Sequence, residues 1–424
     1  MATLKDTSTD MIDYNHYFSK RVSSLKPGPI ARALNLLSHG QDIISFAAGS
    51  PDSTLLPTEV LGELTNNIVQ KYGKEILQYG HMQGFLPLRQ TFAKQLSDQG
   101  VACRAEDINL TTGASGAINS LCVAFLNKGD TVLVETPSYT LAIEAFRTFD
   151  ATVTPIACDD EGMIPSDLET ALKKGGVKFI YVLPNFQNPT GRTISLARRK
   201  SIAALAQKYD ALIIEDDIYG SLRYSGQPLP PIHSFAPHRT LLIGSVSKMF
   251  APAMRIGVMV LPPVVMEKIV CLKPSLDLQG SVYTQALTDE FFRTGQAANY
   301  LARVHSHYSK KLSLMLEALQ THMPEGFHWN KPEGGMFIWV NGPDGLDAER
   351  LLEKAIAAGV AFIPGATFFI EPENHRHHFR LNFATPSAEQ ITRGVAILAE
   401  VCRQSLGQIK EPSLPNPLHT ITTI

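Results

Sequence analysis

Residues 178–217 read KFIYVLPNFQNPTGRTISLARRKSIAALAQKYDALIIEDD. A short β-branched and aromatic run (178–185) closes on Pro184 and Asn185, and Asn188-Pro-Thr-Gly then signals a turn. Over 195–209 a helical pattern puts Ile202, Leu205 and Tyr209 on one face. A second apolar run (210–217) ends in Glu215-Asp216-Asp217. Strand, helix and strand in that order predict a parallel sheet covered on both faces.

The alternation continues in both directions. DINLTTG (107–113) and DTVLVETP (130–137) precede it, and RTLLIGS (239–245) and RIGVMVLP (255–262) follow. The last third differs. A long helix is predicted at 297–321, then GMFIWV (335–340), a helix near 347–358, VAFIPG (360–365), FRLNFA (379–384) and a helix at 387–404. This predicts four regions: an N-terminal segment over 1–55, a large domain over 56–295, a smaller α+β domain over 296–406 and an irregular tail over 407–424.

Composition excludes several classes. Of 424 residues, 44% are hydrophobic and 18% charged, which fits a globular chain with a large core. Lys and Arg total 38 against 40 Asp and Glu, a net charge of −2 that offers no footprint for nucleic acid or an anionic membrane. The five cysteines form no C-x-x-C pair, so neither a disulfide framework nor a thiolate metal site is expected. His375-Arg376-His377-His378 reads as a solvated loop rather than a metal cluster, and Trp339 as core. No apolar stretch approaches the ~18 residues that span a bilayer. The expected location is the cytoplasm.

In such a sheet, ligands bind beyond the carboxyl ends of the strands. Gly113-Ala114-Ser115, Tyr139, Asn188, Asp216 with Tyr219, and Ser245-Val246-Ser247-Lys248 with Arg255 all follow predicted strands. Each also has an ordinary reading. Taken alone, Gly113-Ala114-Ser115 reads as a strand-to-helix turn ahead of an anion site at a helix start. Asp216 serves as a helix cap, Lys248 as a solvated lysine, and Tyr139 as core. Their order and their shared placement carry the signal.

Taken together, Ser245-x-Ser247-Lys248-(x)₆-Arg255-x-Gly257, Asn188-Pro-Thr-Gly, Glu215-Asp216-Asp217-x-Tyr219 and Arg380 in FRLNFATPS resemble the fold-type I pyridoxal-phosphate aminotransferases of class I/II. The resemblance runs from about residue 44 to 404 and points to the kynurenine, α-aminoadipate and aromatic branch. It implies a seven-stranded, mainly parallel sheet in the large domain. It also implies transfer of an amino group from an aromatic, hydrophobic or aminoadipate-like L-amino acid to a 2-oxo acid such as 2-oxoglutarate.

By the same resemblance, Lys248 forms the Schiff base with pyridoxal 5'-phosphate and moves the proton at Cα. Asp216 keeps the ring nitrogen protonated, Asn188 and Tyr219 donate to its phenolic oxygen, and Tyr139 stacks on the ring. Gly113, Ala114, Ser115, Ser245, Ser247 and Arg255 hold the phosphate. Arg380 clamps the substrate α-carboxylate, with Gly49 in the loop over the substrate. Tyr79 reaches the phosphate from the other subunit, which makes the enzyme a homodimer with shared sites. No metal is implied.

Two departures stand out. Ala114-Ser115-Gly116 lacks the glutamine many relatives carry there. Pro29-Ile30 is followed by Ala31 before Arg32, which shifts any arginine contact to a distal acid and favours hydrophobic side chains. A β-lyase on the same lysine chemistry is the main alternative. A cofactor-sensing regulator is a lesser one, because no winged-helix pattern precedes Ala48.

Overall fold

A computed structural model describes residues 12–23 and 43–409. The large sheet has seven strands: β1 (Ile108–Thr111), β2 (Thr131–Glu135), β3 (Thr152–Ile156), β4 (Val177–Val182), β5 (Leu212–Asp216), β6 (Thr240–Ser245) and β7 (Gly257–Val260). Their order is β1-β7-β6-β5-β4-β2-β3. Only β7 runs antiparallel to its neighbours. Six of the seven strands coincide with the apolar runs in the sequence. The seventh, β3, carries Pro155 and lies at the sheet edge, largely short of full burial. An edge strand can spare one N–H, so proline is tolerated there and the β signal is weak.

The sheet sorts its side chains by parity. On β4, Phe179 and Tyr181 face one core cluster while Ile180 and Val182 face the other. Pairing of Ile213 with Thr240 and of Asp216 with Ile243 extends this rule to β5 and β6. Asp216, Ile243 and Ser245 therefore share the face of Tyr181, and Glu215, Leu242 and Gly244 share the opposite face. Helices α1 (Leu86–Asp98), α2 (Gly113–Phe125), α3 (Thr140–Thr148) and α4 (Leu196–Lys208) pack around this sheet.

Helix α5 (Gln296–His322) leads to a four-stranded antiparallel sheet of β8 (His328–Trp329), β9 (Phe337–Asn341), β10 (Ile363–Pro364) and β11 (His378–Asn382), in the order β8-β9-β11-β10. Helix α6 (Ala388–Ile409) follows. It runs into the region read as an irregular tail from 407. No proline interrupts the sequence between 388 and Pro412, so the helix has no breaker before then. The rest of that tail, like Arg32 and its neighbours, lies outside the described residues.

The N-terminal strand Ile44–Ser45 pairs in parallel with Val360–Ala361. Beyond it, the loop is anchored at Asp52. Its Oδ2 accepts from Lys311 Nζ at 2.6 Å and lies 3.0 Å from His307 Nε2, and Tyr308 Oη accepts from the Asp52 N–H at 2.9 Å. Burial alone would raise the Asp52 carboxyl, but Lys311 and Thr54 outweigh it and hold it at about 2. Lys311 also donates to the Ala384 carbonyl at 2.8 Å.

Candidate active site

Asp216 ends β5, buried, on the face it shares with Tyr181. The Tyr181 hydroxyl donates to Asp216 Oδ2 at 2.8 Å. Oδ1 is buried and has no partner. Burial pushes the Asp216 carboxyl up to about 7, against the opposing bond from Tyr181. A carboxylate oxygen left bare in a dry site calls for a donor from outside the chain.

Lys248 sits in the turn after β6, and its Nζ donates to the Gly49 carbonyl at 2.6 Å. Burial first, and then the charges of Arg380 and Arg255, lower this ammonium to about 8. The amine is therefore partly neutral near physiological pH, which a nucleophile or proton carrier requires.

Arg255 holds a left-handed backbone, with φ of 51°, and donates through Nη2 to the Thr112 carbonyl at 3.1 Å. A Cβ on Gly113 would come within 2.5 Å of that Nη2, so glycine leaves the guanidinium room over the first turn of α2. Thr112 makes no side-chain cap there. The first N–H groups of α2, from Gly113 through Ser115, lack intrahelical acceptors by geometry and suit an anion. Ser245 and Ser247 add hydroxyls joined at 3.0 Å.

Arg380 comes from β11 and is buried. Its Nη1 donates to Asn188 Oδ1 at 2.8 Å and its Nη2 to the Ala47 carbonyl at 2.7 Å, while Nε has no partner. The guanidinium lies 4.2 Å from the ring centre of Phe337 and 5.1 Å from that of Phe368. Burial lowers it to about 10, still charged at neutral pH. Tyr219 is buried edge-on to Phe337, and burial raises its hydroxyl well above the ordinary range. Tyr139 opens α3. Burial first, then Asp216, raises its hydroxyl to about 12.

The site thus gathers Gly49, Gly113, Tyr139, Asn188, Asp216, Tyr219, Ser245, Ser247, Lys248, Arg255 and Arg380, with Ala114 and Ser115 in the same helix turn. Tyr79 stands apart: it is 77% exposed on the loop after the Gly73–Leu77 turn. Three participants were not legible beforehand. Tyr181 is found only once β4 and β5 are aligned, and the rings of Phe337 and Phe368 only once β9 and the 365–368 turn are placed. The carbonyls of Ala47 and Gly49 carry no side-chain signal at all. Farther out, His378 opens β11 instead of lying in a solvated loop. It stacks at 5.4 Å on Trp339, and its Nδ1 lies 2.8 Å from Asn341 Oδ1. His375 stacks on Phe369 at 3.8 Å.

These donors fit pyridoxal phosphate. A bare, buried carboxylate oxygen suits a protonated ring nitrogen, a lysine of lowered basicity suits an aldehyde, and a guanidinium, two hydroxyls and an open helix start suit a phosphate.

Comparison with known proteins agrees. The profile of the family described as Aminotransferase class I and II matches residues 41–398. Aromatic-amino-acid aminotransferase 1 of Thermococcus litoralis is 37% identical over 93% of this chain and 96% of its own. 2-Aminoadipate transaminase of Thermus thermophilus is 32% identical over 94% and 99%. The crystal structure of Pyrococcus horikoshii kynurenine aminotransferase in complex with PMP superposes with a TM-score of 0.89, at 38% identity, over 93% of this chain and 98% of that one.

Proposed function

Because the chain belongs to the class I and II aminotransferases, and so transfers amino groups between amino acids and 2-oxo acids with pyridoxal phosphate, we propose that its donors are aromatic, hydrophobic or aminoadipate-like L-amino acids. The acceptor in this reading is 2-oxoglutarate. The carrying observation is that the charges of Arg380 and Arg255 both bear on Lys248, and bear with Asp216, whose Oδ1 is bare, on Tyr139. The Phe337 and Phe368 rings flanking Arg380 favour apolar side chains near the carboxylate clamp.

When bound, pyridoxal phosphate supplies an aldehyde that exchanges with amines and a ring that accepts the electron pair released at Cα. In the proposed roles, Asp216 Oδ1 holds a proton at the ring nitrogen, and Tyr181 fixes the carboxylate through Oδ2. Asn188 and Tyr219 hold the phenolic oxygen, and Tyr139 covers the ring. The Gly113–Ser115 turn, Ser245, Ser247 and Arg255 bind the phosphate. Arg380 orients the substrate carboxylate, trading the Ala47 carbonyl for it. Lys248 Nζ leaves the Gly49 carbonyl and carries the proton removed from Cα, a task its lowered basicity permits.

Tyr79, exposed in one subunit, serves the partner's phosphate site in a homodimer whose large domain spans about 56–295 and small domain about 296–406. The cytoplasm is the proposed location. Among the described residues no helix is long and apolar enough to cross a membrane, and all five cysteines are free thiols.

The test is a half-reaction panel. Purified holoenzyme is mixed with single amino acids, and the cofactor absorbance is followed. Aromatic donors and L-2-aminoadipate should bleach the visible band fastest, and 2-oxoglutarate should restore it. Bleaching by L-aspartate alone would refute the substrate class. Release of ammonia and pyruvate would point to a lyase.

A further inference from the structure

A crevice of about 520 Å3 opens on the sheet face opposite Asp216. We propose that it is a second binding site, for a small amine with an apolar or aromatic body whose nitrogen sits beside Asp217. Its volume lies within the roughly 300–1,000 Å3 of small-molecule pockets.

The parity of β5 and β6 places the crevice. Glu215 pairs with Leu242, so the next residue of that parity, Asp217, lies on the side of Gly244. On β7, Val260 pairs with Leu242 and Val258 with Gly244. The crevice floor is therefore Leu242, Gly244, Val258 and Val260, back to back with the face of Asp216 and Ser245. Phe92 and Leu96 of α1 form one wall, and the 228–231 loop forms another.

Gly244 keeps the floor open. It is a glycine in the interior of a strand, and a Cβ there would meet nothing nearer than Val258 Cβ at 3.9 Å. The glycine is not required by backbone strain or crowding, which leaves the room for a ligand as its structural consequence.

The charges around the crevice favour a cation. Asp217 is at the inner end and Asp98 at the lining too. The Asp217 carboxylate accepts from Asn185 Nδ2 at 2.9 Å and from the backbone of Gly220, and burial raises its carboxyl against these bonds and the charges of Arg199 and Arg223. Arg223, the one basic lining residue among the described residues, is held through Nη1 by Glu333 at 2.5 Å, while its buried Nη2 has no hydrogen-bond partner among them. Arg199, behind Asn185, spends its donors on the carbonyls of Ile194, Pro230 and Pro184 and on Asn185 Oδ1. Glu215 is occupied by the N–H groups of Ile232 and His233. An ammonium adds to the positive charge of Arg199 and Arg223, which does not offset the burial of the Asp217 carboxyl, and the apolar floor takes the body.

The proposal is independent of which amino acid is transaminated, so its failure leaves that reading intact. The probe is N,N-dimethyl-2-phenylethylamine, a tertiary amine unable to condense with an aldehyde. Titration calorimetry of the holoenzyme should show saturable binding of this amine that persists when 3-phenylpropionate, an anionic counterpart whose carboxylate suits Arg380, is present in excess. Gly244→Val should abolish binding by filling the floor, and Asp217→Asn should weaken it by about tenfold or more. Leu96→Trp, which fills the crevice from the helix side, replaces Gly244→Val if that variant fails to retain cofactor. No saturable binding to the parent, displacement of the amine by the carboxylate, or undiminished binding to the filled variant overturns the proposal.

Discussion

Replacing Arg380 with lysine keeps a positive charge near the clamp but removes the planar fork. In the structure that fork donates to Asn188 and Ala47 with two separate nitrogens, holds Nε free, and packs its flat face 4.2 Å from Phe337. An ammonium can reproduce one of these directions at most and stacks poorly. Loss of one partner of a buried, charge-assisted pair costs about 2–5 kcal/mol. The proposed clamp therefore predicts a drop in kcat/KM of about 10²–10³. Most of it should fall on KM if the carboxylate contact is formed before chemistry. Arg380→Ala should be at least as severe, and it carries a second signature. Arg380 is one of the charges that lower Lys248, so its removal should raise the apparent pKa of that amine in the cofactor-free protein, read from the pH dependence of lysine modification. The visible absorbance of the loaded protein should remain. If Arg380→Lys keeps kcat/KM within about threefold of the parent, no substrate carboxylate is gripped there.

Tyr181→Phe leaves the packing of β4 but strips Asp216 of its one hydrogen-bond donor. The carboxyl should rise further, with kcat falling about tenfold and its pH profile shifting upward, whereas a purely structural role would move only the melting temperature. Lys311→Met strands the buried Asp52 carboxylate. A group held at about 2 against an ordinary 3.8 corresponds to about 2 kcal/mol, so the melting temperature should fall by about 2 °C at neutral pH, with much of the gap closing as pH falls from 3.8 towards 2. A variant melting with the parent at pH 7 would remove the ion pair from the stability account. In cofactor-free protein, Lys248 is lowered from 10.5 to about 8, so the unfolded chain binds more protons between those values. Stability should rise with pH across that window, and Lys248→Met should flatten the rise in a pH series of melting curves.

Most of the architecture could be read from residue order. Runs such as DALIIEDD announce a buried parallel strand because every position must be apolar until the chain emerges at the ligand end, where Asp216 stands. The motif residues around Lys248 and Arg255 follow the same logic. What the linear pattern did not reveal depends on alignment between distant strands. Tyr181 looks like any core aromatic until its register with Ile214 is known. The face of Glu215 and Asp217, as opposed to Asp216, is a matter of parity that three adjacent acids cannot express. Pro155 hid β3 because proline argues against a strand everywhere except at an edge. Backbone acceptors at Ala47 and Gly49 leave no trace in a sequence of side chains.

The segment from Ile44 to Asp52 pairs with Val360–Ala361 in a separate two-stranded ladder, its Phe46 carbonyl accepts from the Asn382 N–H of the small sheet, and it is tied to α5 through Lys311. Two of its carbonyls grip the key cations, one rooted in each sheet: Lys248 in the large, Arg380 in the small. The two carbonyls stand two residues apart on one strand of chain, so a shift of this strap alters the hydrogen bonding of the lysine and of the arginine together.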